Sequence, residues 1–229
     1  MSIRLRNFYE TGQRVNEEPL ICVFENFLEE IEIKALLSAA RPKLKQALVT
    51  GTEVGVADPD RTGSSCWIAH GCNKITAELS LRIAEVVGIP LDNAESFQVV
   101  HYGQGEEYAP HFDAWDASTE RGHRCMATGG QRLITCLLYL SNVDEGGGTS
   151  FPNLDMEVRP KKGRMLIYHN CHEGSSVRHA DSLHGGMSVL RGEKWACNLW
   201  FRERTYQSLG TVPVRKTEPL PTPAFKRVI

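Results

Sequence analysis

The chain has 229 residues, 41% of them hydrophobic and 24% charged; this is enough for one sizeable globular domain with a small appendage. A formal net charge of −2 excludes the bulk positive field that a non-specific nucleic-acid binder needs. No apolar run approaches the ~20 residues of a membrane span, and the N-terminus "MSIRLRNFYETGQRVNEEPL" lacks an apolar leader core, so a cytoplasmic protein with no membrane partner is expected.

The seven cysteines are odd in number and form no CxxC. In a reducing compartment they read as small buried hydrophobes, and only Cys66 and Cys72 have a spacing that an oxidising setting could use for a disulfide.

In chain order, "PLICVF" (19–24) is a short β-branched run suited to a buried strand. The next segment keeps a helical period through Phe27, Leu28, Ile31, Ala35, Leu36 and Ala39, and Pro42 stops it. Residues 48–66 are rich in Gly, Asp, Thr and Ser and read as a loop flanked by short strands. "NKITAELSLRIAEVVGIP" is a second amphipathic helix with Ile75, Leu79, Ile83 and Val86 near one face and Gly88 at its end. From about residue 95 the texture changes to short strands separated by turns: "SFQVVHY", "RLITCLLYLS", "GTSFP", "MEVRP", "RMLIYHN", "SVLRG" and "KWACNLWFRER". Helices followed by many short strands predict one α+β domain, a β-barrel core buttressed by N-terminal helices. The tail from Gly210 holds four of the eleven prolines and is expected to run extended.

"YAPHFDAWD" (108–116) places His111 two residues before Asp113. At that spacing both point to one face of a strand, where they form a metal clamp or a hydrogen-bonding pair at a strand end. A histidine from a distant strand would complete a two-histidine, one-carboxylate facial triad with the open positions that non-haem Fe(II) chemistry uses. The downstream candidates are His123, His169, His172, His179 and His184. His184 stands out because Lys194 follows ten residues later, on an otherwise apolar strand. A hairpin turning at Arg191–Gly192 is expected to join the two strands. A lysine among Trp195, Ala196, Cys197 and Leu199 is costly to bury unless an anion meets it, and a dicarboxylate cosubstrate would be that anion. "YHNCHEG" with His179 groups His169, Cys171, His172 and His179, but one short loop rarely wraps four ligands around zinc and no HExxH or CxxC frame is present.

Together with "RTGSS", "GIPLDNAESFQVVHYGQGEEYAPHFD", "GGQRLITCLLYLSNVDEGGGTSFP", "RPKKGRMLIY" and "SLHGGMSVLRGEKWACNLWFRER", these features resemble the catalytic domain of the prolyl 4-hydroxylases of the Fe(II)/2-oxoglutarate dioxygenase superfamily. "PLICVFENFLEEIEIKALLSAARP" resembles that family's lead-in strand and helix. The resemblance implies a double-stranded β-helix (jelly-roll, cupin-like) core. It divides the single domain, 1–229, into a supporting part over 18–94, the core over 95–206 and a Pro-rich tail over 207–229.

The resemblance also implies Fe(II) on His111, Asp113 and His184, with 2-oxoglutarate and O2 as cosubstrates and ascorbate as reductant. It places the far carboxylate of 2-oxoglutarate on Lys194 and Tyr102, with Thr135 lining the same pocket. Tyr108, Arg132 and Trp200 match residues that surround the prolyl peptide. Arg202 stands where many relatives carry a histidine, which puts its substrate contact in doubt. The insertion-like "DASTERGHRCMATGGQ" is expected to act as a substrate lid. The implied reaction is hydroxylation of proline at C4 in a peptide or protein, by a monomer or homodimer. The alternative is a hydroxylase with the same cofactor acting on a free amino acid or another side chain. A barrel that only binds is disfavoured by the complete His-Asp-His-Lys set.

Overall fold

The N-terminal helices are set by their caps. The computed structural model describes residues 5–47, 49–50, 55–56 and 61–206; the expected extended tail and positions 48, 51–54 and 57–60 of the loop over 48–66 lie outside the described residues. Strands β1 (Gln13–Asn16) and β2 (Ile21–Phe24) lead into α1 (Glu30–Ala40), where Glu29 and Glu32 form a reciprocal capping box. Short strands β3 (Lys45–Gln46), β4 (Val49–Thr50), β5 (Gly55–Val56) and β6 (Ser64–Ile68) precede α2 (Lys74–Val87). Asn73 accepts the Thr76 N–H at 2.9 Å to start α2, and Gly88 at φ 77° ends it.

The buried faces of both helices are rotated from the expected ones. Ile33, Leu36 and Ala40 face the core of α1 while Ile31 is exposed, and the core of α2 uses Thr76, Leu79, Ile83 and Val87. The buried Glu32 of α1 meets Arg82 of α2 at 2.6 Å, so a polar pair occupies part of the seam that apolar periodicity alone was expected to fill.

The remaining elements are β7 (Phe97–Tyr102), β8 (Tyr108–His111), α3 (Glu120–Met126), β9 (Arg132–Tyr139), β10 (Glu145–Gly146), β11 (Thr149–Phe151), β12 (Met156–Val158), β13 (Met165–His169), β14 (His184–Gly186), β15 (Val189–Arg191) and β16 (Lys194–Arg202). They form an eight-stranded sheet in the order β1-β2-β13-β9-β16-β7-β6-β3, a four-stranded sheet β12-β11-β14-β8, and the pair β10-β15. This is the double-stranded β-helix arrangement, with antiparallel pairing throughout the large sheet.

The large sheet alternates its faces with period two. Ile134, Cys136, Leu138, Cys197, Leu199 and Phe201 pack outward against the helices. Leu137, Tyr139, Leu166, Tyr168 and Ala196 pack inward against Phe151, Val158 and Val189. Each fully buried Leu, Ile or Phe among these contributes about 1.5–3 kcal/mol, so the two clusters clamp the large sheet from both sides. The polar side chains Thr135 and Lys194 share the inward phase, and this is how an otherwise apolar barrel acquires a chemical interior.

One expected pairing is corrected. β15 and β16 do not pair with each other: β15 pairs with β10, and β16 pairs with β7 and β9. Gly192 at φ 90° turns the chain from one sheet to the other, so His184 and Lys194 line one cavity from two different sheets rather than along a hairpin.

Candidate active site

Register brings the two histidines together: His184 of β14 lies opposite His111 of β8. Asp113 sits just past the end of β8, in the bend that follows it, and not within the strand as the spacing suggested. Gln131 holds that bend, accepting the Trp115 N–H at 2.9 Å and donating to the Trp115 carbonyl at 2.8 Å. One ligating atom each from His111, Asp113 and His184 lie within 4.8 Å of one another. His111 Nε2 is 3.8 Å from Asp113 Oδ1, and His184 Nε2 is 3.5 Å from Asp113 Oδ2.

The tautomers suit a metal. Each Nδ1 lies 2.9 Å from a backbone carbonyl, that of Ala109 for His111 and that of Ser182 for His184. A carbonyl only accepts, so both Nδ1 atoms carry a proton, which leaves Nε2 of each ring as the atom turned toward Asp113 for a metal to engage. Burial, then the neighbouring His184, push the His111 pKa down to about 3, keeping the ring neutral and ligating. Burial alone would raise the Asp113 carboxyl, but His184, His111 and Arg132 outweigh it and hold the group well below the usual carboxylate range. The donor set therefore fits a divalent iron: two imidazoles with Nε2 turned inward, one carboxylate, and a cavity on the remaining side.

That cavity, about 150 Å³, is lined by Tyr102, Tyr108, Arg132, Thr149, Lys194 and Trp200 together with the three candidate ligands. Lys194 is 3% exposed and lies opposite Tyr102 in the β16–β7 register. No carboxylate of the described residues pairs with it, and its one hydrogen bond is to the Gly148 carbonyl at 3.5 Å. Burial pulls its pKa down to about 8 against a smaller opposing pull from Glu157. Its Nζ lies over the Tyr102 and Tyr139 rings at 5.9 and 5.8 Å, and a buried ammonium without a carboxylate partner among the described residues fits the far carboxylate of a dicarboxylate. Gly63 lets Tyr102 take its place: a Cβ there would lie 2.5 Å from the Tyr102 ring and 2.6 Å from the His101 carbonyl.

Two expected placements change. Thr135 does not line the cavity; its hydroxyl donates to Asp113 Oδ2 at 2.7 Å. The threonine that faces the cavity beside Lys194 is Thr149, whose Oγ1 also lies 2.7 Å from the Tyr139 hydroxyl. Arg202 is also absent from the cavity wall. It is 4% exposed, its Nε lies 2.7 Å from Glu95 Oε1, and it donates to the Gly130 carbonyl at 2.6 Å. A register irregularity between Phe201 and Arg202 breaks the alternation that would have set Arg202 beside Trp200.

Arg132 does line the cavity, but Glu95 holds its Nε and Nη2 at 2.6 and 2.8 Å, and its guanidinium lies over Trp200 at 3.8 Å and over Trp115 at 4.8 Å. Trp67, half exposed, leans on Trp200 at 5.9 Å between ring centroids. Arg61 donates to Gln98 at 3.1 Å and lies over Tyr108 at 4.7 Å. Arg61, Gln98 and Trp115 fall in stretches singled out in the sequence, yet no site role was read for them or for Trp67; the contacts that place them in the wall come from residues far apart in the chain.

The zinc grouping does not assemble. His169 meets the Tyr9 hydroxyl at 3.0 Å, and Cys171 meets the Arg132 carbonyl at 3.7 Å. His172 and His179 approach Glu18 instead. The Asp181 N–H donates to His179 Nδ1 at 3.0 Å, so the proton sits on Nε2, 3.4 Å from Glu18 Oε1; Nε2 faces the carboxylate as an N–H of a neutral ring, not as a ligand lone pair. All seven cysteines, including Cys66 and Cys72, are free thiols. Among the described residues no helix is long and apolar enough to cross a membrane.

Residues 97–202 match the family model of the 2OG-Fe(II) oxygenase superfamily. The chain is 33% identical to probable prolyl 4-hydroxylase 3 of Arabidopsis thaliana over 213 residues, which cover 83% of this chain and 71% of that protein. It is 35% identical to a putative prolyl 4-hydroxylase of Acanthamoeba polyphaga mimivirus over 185 residues, covering 80% and 74%. The chain belongs to the prolyl 4-hydroxylase family. Among solved structures, a viral collagen prolyl hydroxylase of Paramecium bursaria Chlorella virus-1, determined with 2OG, superposes with TM-score 0.62 at 26% identity, covering 80% of this chain and 95% of that one. A prolyl hydroxylase of Trichoplax adhaerens, determined with a hypoxia inducible factor peptide fragment, shares the fold at TM-score 0.57 and 17% identity. As an enzyme of this family the protein is an Fe(II)/2-oxoglutarate-dependent dioxygenase, with ascorbate the reductant typical of such enzymes.

Proposed function

We propose that this dioxygenase is a peptidyl-prolyl 4-hydroxylase and that its iron ligands are His111, Asp113 and His184. The observation that carries the assignment is the joint presence, in one cavity, of a two-histidine, one-carboxylate set and a buried ammonium with no carboxylate partner among the described residues. When bound, the iron and 2-oxoglutarate supply the oxidising power, with O2 consumed and succinate and CO2 released.

The protein's part is to bind, orient and exclude water. Lys194 receives the far carboxylate of 2-oxoglutarate, with Tyr102 and Thr149 beside it as hydroxyl donors. Tyr102 stays a neutral donor, because burial raises its pKa and Arg61 only partly opposes this. On the substrate side, Tyr108 and Trp200 offer aromatic faces to a proline ring. Glu95 holds the Nε and Nη2 edge of Arg132 and leaves Nη1, 3.9 Å from Asp113 Oδ1, as the edge turned to the cavity, where it can donate to a peptide carbonyl. The half-exposed Trp67 extends the apolar wall to the mouth, which suits a ring held in a longer chain better than a free amino acid.

The test is mass spectrometry of proline-containing peptides incubated with the protein, Fe(II), 2-oxoglutarate, ascorbate and O2. Addition of one oxygen atom to a proline, with one succinate per hydroxylation, is the expected result. Succinate release with every proline unchanged would sink prolyl hydroxylation and leave the alternative, another target for the same cofactor. The placement of Arg202 away from the cavity is the observation that keeps this second reading in play.

A further inference from the structure

Asp113 is held by one of its two oxygens. Oδ2 accepts the Thr135 hydroxyl at 2.7 Å and the Tyr168 hydroxyl at 3.0 Å. Oδ1 accepts no hydroxyl; it faces His111 Nε2 at 3.8 Å and Arg132 Nη1 at 3.9 Å. Thr135 and Tyr168 are register partners across β9 and β13, so the large sheet presents both hydroxyls to the carboxylate as one row. All three side chains are at most 5% exposed, which leaves bulk water little part in this arrangement.

The Thr135 hydroxyl is itself directed. A carboxylate can only accept, so the O–H of Thr135 points at Asp113, and the contact with Asn170 at 2.9 Å must come from the Asn170 amide N–H. Asn170 is fixed in turn by backbone bonds, its N–H donating to Leu133 and its carbonyl accepting from His179, both at 2.9 Å. The chain Asn170 to Thr135 to Asp113 thus runs one way. Tyr168 has a single proton and two acceptors in reach, Asp113 Oδ2 and the lone pair of His184 Nε2 at 2.8 Å. A cation that engages Nε2 takes that acceptor away and turns the proton toward Asp113.

Resting on the reading of His111, Asp113 and His184 as iron ligands, we propose that Thr135 and Tyr168 are positioning residues that commit Asp113 to the metal through Oδ1 alone. By saturating Oδ2 they stop the carboxylate from swinging or chelating with both oxygens, which preserves coordination positions for the cosubstrates. Partners of this kind are worth roughly 10–100-fold in metal affinity.

The experiment is an anaerobic Mn(II) titration of the purified protein, followed by the electron paramagnetic resonance signal of free Mn(II). Thr135→Val, which keeps the side-chain shape, is expected to weaken Mn(II) binding at least about tenfold. Thr135→Ser is expected to restore most of the affinity, and Tyr168→Phe to weaken binding by a smaller factor, because its proton is shared. Thermal unfolding of each metal-free variant separates the two kinds of role: a merely structural contact moves stability and leaves the Mn(II) affinity alone. Wild-type affinity in Thr135→Val overturns the inference while the ligand assignment stands. Failure of the wild-type protein to take up Mn(II) overturns the ligand assignment and the inference with it.

Discussion

Lys194→Met should weaken 2-oxoglutarate binding and, at the same time, stabilise the ligand-free protein. The substitution keeps the length and apolar stem of the side chain and removes only the charge. In the complex, an ammonium and a carboxylate about 4 Å apart interact by about 4 kcal/mol at an effective dielectric of about 20. Removing one partner of a buried pair costs about 3–5 kcal/mol. At about 1.4 kcal/mol per decade, the affinity for 2-oxoglutarate should fall by roughly 10²–10³. Without the cosubstrate the balance reverses, because the ammonium is buried unpaired. The fall of the Lys194 pKa from the ordinary 10.5 to about 8 corresponds to roughly 3 kcal/mol of folding free energy lost while the group is charged.

The pH dependence gives this a second signature. Below about pH 8 the lysine is protonated in both folded and unfolded chains, so the wild-type protein bears the full cost. Between about 8 and 10.5 the unfolded chain holds the proton and the folded chain does not, so wild-type stability rises with pH. The variant's advantage should therefore be largest below pH 8, several degrees in melting temperature at about 2–4 °C per kcal/mol, and should fade toward pH 10.5. Calorimetric titration of the anaerobic Mn(II) protein with 2-oxoglutarate, beside thermal unfolding of the ligand-free protein at several pH values, measures both halves. A 2-oxoglutarate affinity within about threefold of wild type, or a variant less stable than wild type at pH 7, would refute the assignment of Lys194 as an orphaned cation awaiting an anion.

Two further outcomes are expected. Glu95→Gln leaves Arg132 and Arg202 without their shared carboxylate and should cost about 3–5 kcal/mol in urea unfolding, while raising the KM for peptide and sparing the affinity for 2-oxoglutarate; equal effects on both ligands would place Glu95 elsewhere in the machinery. Burial holds His169 down to about 4, so between pH 6.5 and 4 the unfolded chain binds the extra proton and stability falls with falling pH. His169→Gln should remove up to roughly 3 kcal/mol of that acid loss, and an acid limb as steep as wild type's would show that His169 does not drive it.

The proposed ligands His111 and Asp113 drew notice in the sequence through their two-residue spacing, although Asp113 lies in the bend after β8 rather than on the strand, and Lys194 drew notice as a charge on an otherwise apolar strand. The rest depended on which strands become neighbours. Thr135 and Thr149 both sit on short β-strands, and nothing local says which faces the cosubstrate cavity. The answer comes from pairing: β9 sets Thr135 opposite Tyr168 and under Asp113, whereas β11 pairs with the strand of His184 and carries Thr149 to the cavity wall. Arg202 misled for a related reason. Alternation carried from Trp200 puts it inside, but one irregularity in the register turns it onto Glu95, a residue 107 positions earlier whose charge has no local motif. Short polar residues on barrel strands thus announce that a site exists, while long-range register decides whether each touches the ligand or steadies a neighbour that does. In this protein that division separates Thr149 from Thr135, and it locates the residues whose loss should alter metal affinity without removing a ligand.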